Sequence, residues 1–515
     1  MMLMARRLTR DRFPHMDQPP SSPSARLPVR EKIAWGMGGF SDQVATNGLN
    51  SLFVPIYNIG FGMSSVLIGW ASAIPRLIDT LSDPVMGNIS DNSRSRFGRR
   101  RPFVFAGAFL MALGFGLSYM ASPYWGSAAL FAFAVATGTF FYLMYTIFSV
   151  PYNALGLELT SDYDERADVQ KYRMILASAA SFGVPWLYKI CLSTGELVRG
   201  YIESGKSAWY GFVFQPMAHM AADDSVKIEV LGIRYVAWAL AVVVLLTALP
   251  AALFTRERLK VHDQAQLHLL HSGKLAMQNR SFRILCLMMF FVIAGMSFIG
   301  VLATYANIFY LFGGDKSAGA TWTGFYGTAQ GIASLAGAFA VPLLVRRFDK
   351  KTVIMSGMAL AAVTIVCSWF LFRPGWPALQ LILALFVGAG MSAVWLLGGS
   401  FLADICDEDD LQHGYRREGI FSAFYGFIIK LAFTGIAFTF GYVLAFIGYD
   451  AGSDSMTPQA LTRLRLFIAL FPSACIVAAM IAFSRYGLSR ARVREIQVAL
   501  DARRAAGPGA DGTGS

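Results

Sequence analysis

"RLIDTLSDPVMGNISDNSRSRFGRRRP", residues 76–102, opens in apolar sequence and closes on a run of arginines. Arg76, Asp79 and Asp83 lie within its apolar part. Their spacing of i, i+3 and i+7 places all three on one face of a helix. An ionisable side chain at mid-bilayer costs at least about 2.5–3.5 kcal/mol, so it persists only beside a partner or water. That face is therefore expected to line a cavity inside a bundle of membrane helices.

The remaining sequence supports this reading. Of 515 residues, 55% are hydrophobic, 14% aromatic and only 15% charged, where a soluble protein carries about 25% charged residues. Apolar runs of about 20 residues, the thickness of a bilayer core, recur along the chain. The net charge of +12 sits in the tails and alternate loops, as cytoplasmic loops of membrane proteins do, and no nucleic-acid partner is expected. Cys191, Cys286, Cys367, Cys406 and Cys475 are scattered, without metal-like spacing, and read as apolar filler.

Twelve spans are predicted: 33–58, 64–89, 102–121, 126–152, 171–194 and 234–254, then 281–311, 320–345, 352–372, 376–404, 418–447 and 461–484. The loops "NIGFGMSS" and "MASPYWGS" contain no Lys or Arg, whereas the 90–101 loop between them holds Arg94, Arg96 and Arg99–Arg101. Both termini are thus expected to be cytoplasmic, in a bacterial-type inner membrane. Residues 1–32 contain no secretory signal and read as a disordered tail, with Met16 an alternative start; 255–280 is a central cytoplasmic loop and 485–515 a second tail. "RFGRRR" at 96–101 returns as "RFDKK" at 347–351, and "ELTSDYDER" at 158–166 returns as "ADICDEDD" at 403–410. Two echoes at nearly the same offset argue for duplicated six-helix bundles, 33–254 and 281–484, rocking about a shared cavity.

One arginine cannot neutralise two carboxylates, so a proton or a bound cation must balance Asp79 and Asp83. Ser82 and Thr146 can supply neutral oxygens to Na⁺, and burial can instead raise a carboxyl pKa until it carries H⁺. A static ion pair of Arg76 with Asp79 is the plain alternative. Asp42 on span one and Lys430 on span eleven are also ionisable and surrounded by apolar sequence. Lys430 lies about two turns from any polar end, so it is expected to face the cavity, either binding substrate or exchanging partners with a carboxylate as the cation binds, with a static salt bridge to one aspartate the plain alternative; Lys189 is expected to reach the outer surface. Asp162, Glu165, Asp404, Asp407, Arg416 and Glu418, with Arg99, Arg100 and Arg101, are either solvated loops or a latch closing the cytoplasmic gate.

"SDPVMGNISDNSRSRFGRRRP", "VPYNALGLELTSDYDER" and "ADICDEDDLQHGYRREGIFSAFYGFIIK" resemble the glycoside–pentoside–hexuronide:cation symporters of the major facilitator superfamily, the group that contains melibiose permease. The resemblance covers roughly 33–485. It implies an all-α, twelve-helix transporter in two pseudo-symmetric bundles. By that resemblance Asp79, Asp83 and Thr146 fall on cation positions, with Ser82 in place of an asparagine. Asp42, Arg173, Trp395 and Lys430 fall on positions that line the sugar site or join it to the cation. Ser149 and Asn153 replace an aspartate and a tryptophan, which removes an acceptor and a stacking face and speaks against a galactoside. For a uronate, Arg173 and Lys430 are the expected carboxylate partners.

The resulting expectation is a monomeric symporter for a sugar or related polar solute, without cofactor, coupled to Na⁺ or H⁺. The same fold carrying a lysolipid is an alternative, and the long outer loop 195–233 (Trp209, Tyr210, Phe212, Phe214) can be read as a shield for such a cargo, a lid or an idle insertion. An intramembrane prenyltransferase holding Mg²⁺ on Asp79/Asp83 and the DICDEDD cluster is a distant one. No phosphate-binding glycine loop or Ser/His/Asp arrangement is found, and the six histidines fall outside the predicted spans.

Overall fold

The computed structural model describes residues 27–160, 162–204, 218–258, 276–414, 417–451 and 453–506. Among them the regular structure is helical. Twelve long rods occupy the twelve predicted positions. The first six are α1 (Val29–Val54, continued by a π-turn Pro55–Gly60), α2 (Ser65–Asn92), α3 (Arg101–Leu117), α4 (Ser127–Glu158), α5 (Tyr163–Gly183, continued through Val184–Trp186 into Leu187–Glu203) and α6 (Ile228–Leu253). The second six are α7 (Arg280–Tyr305, continued by a π-turn Ala306–Leu311), α8 (Lys316–Arg347), α9 (Lys350–Val366 with Ser368–Leu371), α10 (Gln380–His413), α11 (Glu418–Ile447) and α12 (Pro458–Ser484). A further helix, α13 (Arg490–Ala506), follows. Eight of the described helices are long and apolar enough to cross a membrane by length and composition alone.

Local chemistry starts and stops these helices. The Asp162, Asn279, Asp315 and Thr457 side chains each accept a hydrogen bond from a backbone N–H of the first turn that follows. Pro102 and Pro458 open α3 and α12, where the missing N–H costs nothing. α10 and α11 end on Gly414 and Gly448 in the left-handed conformation, with φ of 81° and 91°.

The two halves repeat in packing as well as in sequence. α1 packs on α5 and α6, α2 on α4, and α3 on α4 and α6; six helices later, α7 packs on α11 and α12, α8 on α10, and α9 on α10 and α12. The π-turns ending α1 and α7, and the positive-φ Gly62 and Gly313 that follow them, share one offset of 251 residues (55 to 306, 62 to 313). The halves meet along two seams, α2 against α11 and α5 against α8, which the same pseudo-symmetry exchanges. Outward faces carry side chains such as Leu246, Phe339 and Phe446, all exposed and apolar, as a lipid-facing surface requires.

Helix ends differ from the prediction where polar residues continue a helix past the hydrocarbon. α1 starts at Val29, so 29–32 are helical rather than part of a loose tail, and Glu31 and Lys32 are buried. α5 runs on to Glu203, absorbing the start of the expected outer loop. α13 occupies part of the expected C-terminal tail and packs on α10, with Ile496 and Leu500 buried. Met16, Trp209, Tyr210, Phe212, Phe214 and Arg416 lie outside the described residues.

Candidate functional site: a charged cluster in the seam between the halves

α2 and α11 carry the centre of the molecule. Lys430 Nζ of α11 donates to Asp79 Oδ2 at 2.8 Å and to Asp83 Oδ2 at 2.6 Å. From α4, Thr146 Oγ1 lies 2.9 Å from Asp79 Oδ1 and 3.3 Å from Asp83 Oδ1. Ser82 Oγ stands 3.1 Å from Thr146 Oγ1. Five residues singled out in the sequence thus converge. Asp79 is nearly enclosed, whereas the Asp83 and Lys430 side chains are 29% and 31% exposed. The cluster therefore has an open side, and two carboxylates share a single ammonium. Such a group of hard oxygens can hold a monovalent cation or a proton once Lys430 moves aside.

Arg76 does not pair with Asp79. Its Nη2 donates to Asn50 Oδ1 of α1 at 2.5 Å and its Nη1 to the Phe433 carbonyl of α11 at 3.2 Å. Arg76 shares a helix face with Asp79 but lies about 4.5 Å further along the axis and about 60° round it, enough to meet different neighbours.

The sugar-site candidates divide. Asp42 accepts from the Tyr145 hydroxyl at 2.6 Å and faces Arg173 Nη2 at 3.7 Å. The Arg173 guanidinium also lies over the Trp35 and Tyr152 rings. Ser149 is buried and Asn153 exposed, and the Asn153 amide donates to the Ser149 carbonyl. Trp395, half exposed, lies on α10 one turn from Gly398, which faces Tyr425 of α11. Lys189 donates to Ser317, the second residue of α8 in the opposite half.

Beyond the cluster, away from the termini, lies a cavity of about 500 Å³ between the halves, with walls from α1, α2, α4, α5, α7, α8 and α11. Arg76 lines it; Asp79, Asp83, Lys430, Asp42 and Arg173 do not.

At the face bearing the termini, the following ion pairs form within each half. Glu158 receives Arg99 and Arg100, Asp91 receives Arg100, Glu165 receives Lys32, Asp404 receives Lys350 and Asp410 receives Arg503. Asp162 caps α5, and Arg101 donates to the Ala252 and Leu253 carbonyls. The Gly98–Arg101 turn, with Gly98 at φ 108°, wraps the Glu257 carboxylate: backbone N–H groups of Arg99, Arg100 and Arg101 donate to it at 2.7, 2.8 and 3.1 Å. Glu158 and Glu257 escaped the sequence reading, although both stand inside or beside the charged stretches quoted for it.

The opposite face is closed by contacts between halves. Tyr305 of α7 donates to Asn58 at the end of α1. Lys316 bridges Glu229 of the first half at 3.1 Å and Asp454 at 3.0 Å, and Lys227 lies 3.5 Å from Asp454. The Lys316 ammonium holds the Asp454 carboxyl below its ordinary range. A carboxyl held low contributes to closure above its ordinary pKa and loses that contribution as pH falls through its lowered value. Because the Asp454 side chain is 72% exposed, acidification to that point is expected to loosen this closure only slightly. A cysteine placed at Thr304, in a chain lacking the exposed Cys367, should then label modestly faster from that side, and in Asp454→Asn that pH dependence should be absent.

Comparison with known proteins fits this geometry. A family model described as MFS/sugar transport protein matches residues 34–490. The chain belongs to that family. This family member is 25% identical over 464 residues to the inner membrane symporter YicJ of Escherichia coli (strain K12), covering 89% of this chain and 92% of the relative. It is 23% identical over 450 residues to the isoprimeverose transporter of Lactiplantibacillus pentosus, covering 85% of each. In fold it is similar to the crystal structure of a bacterial homologue of the human lysosomal transporter Spinster, inward-facing and unoccupied, with TM-score 0.63 and 12% identity over 92% of this chain and 98% of that one. The protein is an all-α major facilitator-type membrane transporter, not an enzyme. The prenyltransferase reading therefore falls. In the DICDEDD stretch, Asp404, Asp409 and Asp410 each engage their own cation: Lys350, Arg417 and Arg503.

Proposed function

We propose that this transporter is a symporter that carries a sugar or related polar solute across the bacterial inner membrane, driven by a cation at Asp79 and Asp83. The face bearing the termini is cytoplasmic in this reading. The observation that carries the proposal is the sharing of one ammonium, Lys430, by two carboxylates in the seam between the halves. A cation bound there, with Thr146 and Ser82 as further oxygens, displaces Lys430 from the carboxylates and breaks an ionic bond joining α2 to α11. Cation binding thus changes the relative stability of the two orientations, which is what coupling requires. Lys430 and Arg76 are the coupling groups. Asp42, Arg173, Ser149, Asn153 and Trp395 border the path of the solute on the terminal side. Amide and hydroxyl groups in the cavity wall, among them Asn47, Asn307 and Thr323, favour a hydroxylated cargo over an acyl chain. The protomer contains both halves of the path, and the unit of transport is a monomer.

Purified protein in vesicles, given a panel of sugars under separately imposed Na⁺ and pH gradients, is expected to accumulate solute with one gradient and to stop when an ionophore collapses it. Equal uptake with and without either gradient removes the cation from the mechanism.

A further inference from the structure

At the face bearing the termini, the end of α10 and the start of α11 are joined by a buried ion pair that the symport reading does not use. Arg417, the residue before α11, sends Nε to Asp409 Oδ2 at 2.6 Å and Nη2 to Asp409 Oδ1. The Asp409 and Arg417 side chains are 1% and 8% exposed, so this charge-assisted fork is shielded from water. His413, the last residue of α10, completes the group. Its Nδ1 lies 2.9 Å from Arg417 Nη2, 3.2 Å from Asp409 Oδ1 and 3.2 Å from the Asp409 carbonyl oxygen. The His413 side chain is 46% exposed, so protons reach it from the water on that side.

A guanidinium can only donate, so the contact from Arg417 fixes His413 Nδ1 as an acceptor and leaves the ring proton on Nε2. The imidazole of this arrangement is neutral. Imidazole is also the side chain whose charge ordinarily changes between about pH 5 and 8. A proton added at Nδ1 removes the acceptor and sets two cations side by side. The new N–H has two oxygens in reach, both of Asp409, and the carboxylate is then shared between imidazolium and guanidinium. The neighbouring charges do not offer either cation a substitute. Lys350 of α9 is on Asp404, Arg503 of α13 is on Asp410, and Lys351 is on the Ser484 and Tyr486 carbonyls. Arg346 and Arg347 at the end of α8 add positive charge on this side; Asp349, Asp407, Glu408, Glu418 and Asp501 are its further acids. Among the described residues, the polar contacts of the His413 ring are with Asp409 and Arg417.

We propose that His413 is a pH switch on the face bearing the termini. Neutral, it leaves Asp409 to Arg417 and so ties α11 to α10; charged, it competes for Asp409 and releases the start of α11. Arg417 caps that helix, its carbonyl accepting from the Ile420 and Phe421 N–H groups at 3.0 and 3.2 Å. Phe421, buried against Phe282 of α7, is the other anchor of the same end. Lys430, the bridge to α2, lies on the same helix about three and a half turns further on. A loosened start transmits less of the movement of α10 to Lys430, and transport slows as that side turns acid. In the orientation proposed above that side is the cytoplasm, so the switch restrains uptake when the cytosol acidifies.

The test compares wild type with His413→Asn, which keeps a neutral oxygen near the place of Nδ1 and cannot take up a proton. Full-length protein in phosphatidylethanolamine/phosphatidylglycerol nanodiscs is followed by hydrogen exchange at about pH 7.5 and 5.5, either side of the imidazole range, each rate divided by its intrinsic rate. In wild type, protection of the Ile420 and Phe421 amides is expected to fall at least tenfold at the lower pH; in His413→Asn it should stay level. No fall in wild type, or an equal fall in both proteins, overturns the switch. Exchange of labelled sugar across vesicles, with equal sugar and equal pH on both sides, gives a second readout in which orientation and driving force drop out. With the sugar that the vesicle panel identifies, the rate of wild type relative to His413→Asn should fall at least threefold between the two pH values. A constant ratio overturns the control of transport. If no sugar moves at all, the symport reading fails, while hydrogen exchange still decides the switch.

Discussion

Asp83→Asn is expected to abolish accumulation of solute against its gradient, with cation affinity reduced at least about a hundredfold, or ~2.8 kcal/mol. Asp83 is the more accessible of the two acids and takes the shorter bond from Lys430, 2.6 Å against 2.8 Å to Asp79. Without its charge, Asp79 and Lys430 form a balanced pair and no surplus remains to attract a cation. Thr146 and Ser82 alone offer neutral oxygens, which bind a monovalent ion weakly against water. The halves should still fold, because Asp83 packs at the open side of the cluster rather than inside one bundle. Downhill exchange of solute can therefore persist while uphill uptake disappears. Measuring both in the same vesicles separates the cases: concentrative uptake at the wild-type level in Asp83→Asn would mean that the driving ion binds elsewhere.

Closing the face opposite the termini depends on two glycines, and Gly441→Leu is expected to stop transport with little loss of folded protein. A Cβ on Gly441 would stand 2.3 Å from the Ser65 carbonyl oxygen and 2.9 Å from the backbone of Gly69; one on Gly69 would stand 2.7 Å from the Phe438 carbonyl oxygen. Real Cβ atoms do not approach backbone so closely, and backbone has no rotamer with which to yield. These contacts join α2 to α11, so the strain is relieved when the halves part at that end. The variant should rest open on that side, lose more than tenfold of its transport rate and melt within a few degrees of wild type. Gly232→Leu makes the contrasting case. Its Cβ would stand 1.8 Å from the Cys191 carbonyl oxygen, between α5 and α6 of one bundle, where no hinge can release it. Overpacking typically costs about 1–3 kcal/mol and more against backbone, so that variant should lose folded yield itself. If Gly441→Leu instead failed to fold while Gly232→Leu transported, the seam between α2 and α11 would be static.

Some of this is visible in the linear chain because it is periodic or local. The helical spacing puts Asp79 and Asp83 on one face, and the echo of "RFGRRR" in "RFDKK" announces the duplication that packing repeats helix for helix. Thr146 and Ser82 were legible as neutral oxygens in apolar sequence, but their convergence with Lys430 required two halves folded against each other. Neither Arg76's partners nor Lys189's could be read, because a helical pattern names a face but not the residue opposite it. The acidic and basic loops illustrate the same limit: charge complementarity alone does not name partners, and it is the fold that gives Glu158 to Arg99 and Arg100 and Asp404 to Lys350.

The amino-acid order by itself thus determined that the chain crosses a membrane in two related six-helix units, and that buried acids in α2 require a positive partner, since burial of charge and the period of the helix are local constraints. Only the tertiary structure decided which cation answers which acid. Lys430 reaches Asp79 across 351 positions of sequence, while Arg76, three residues from Asp79, turns away to Asn50. Distance along the chain does not predict distance across a seam between two bodies, and it is that seam which leaves one guanidinium facing the cavity without a carboxylate.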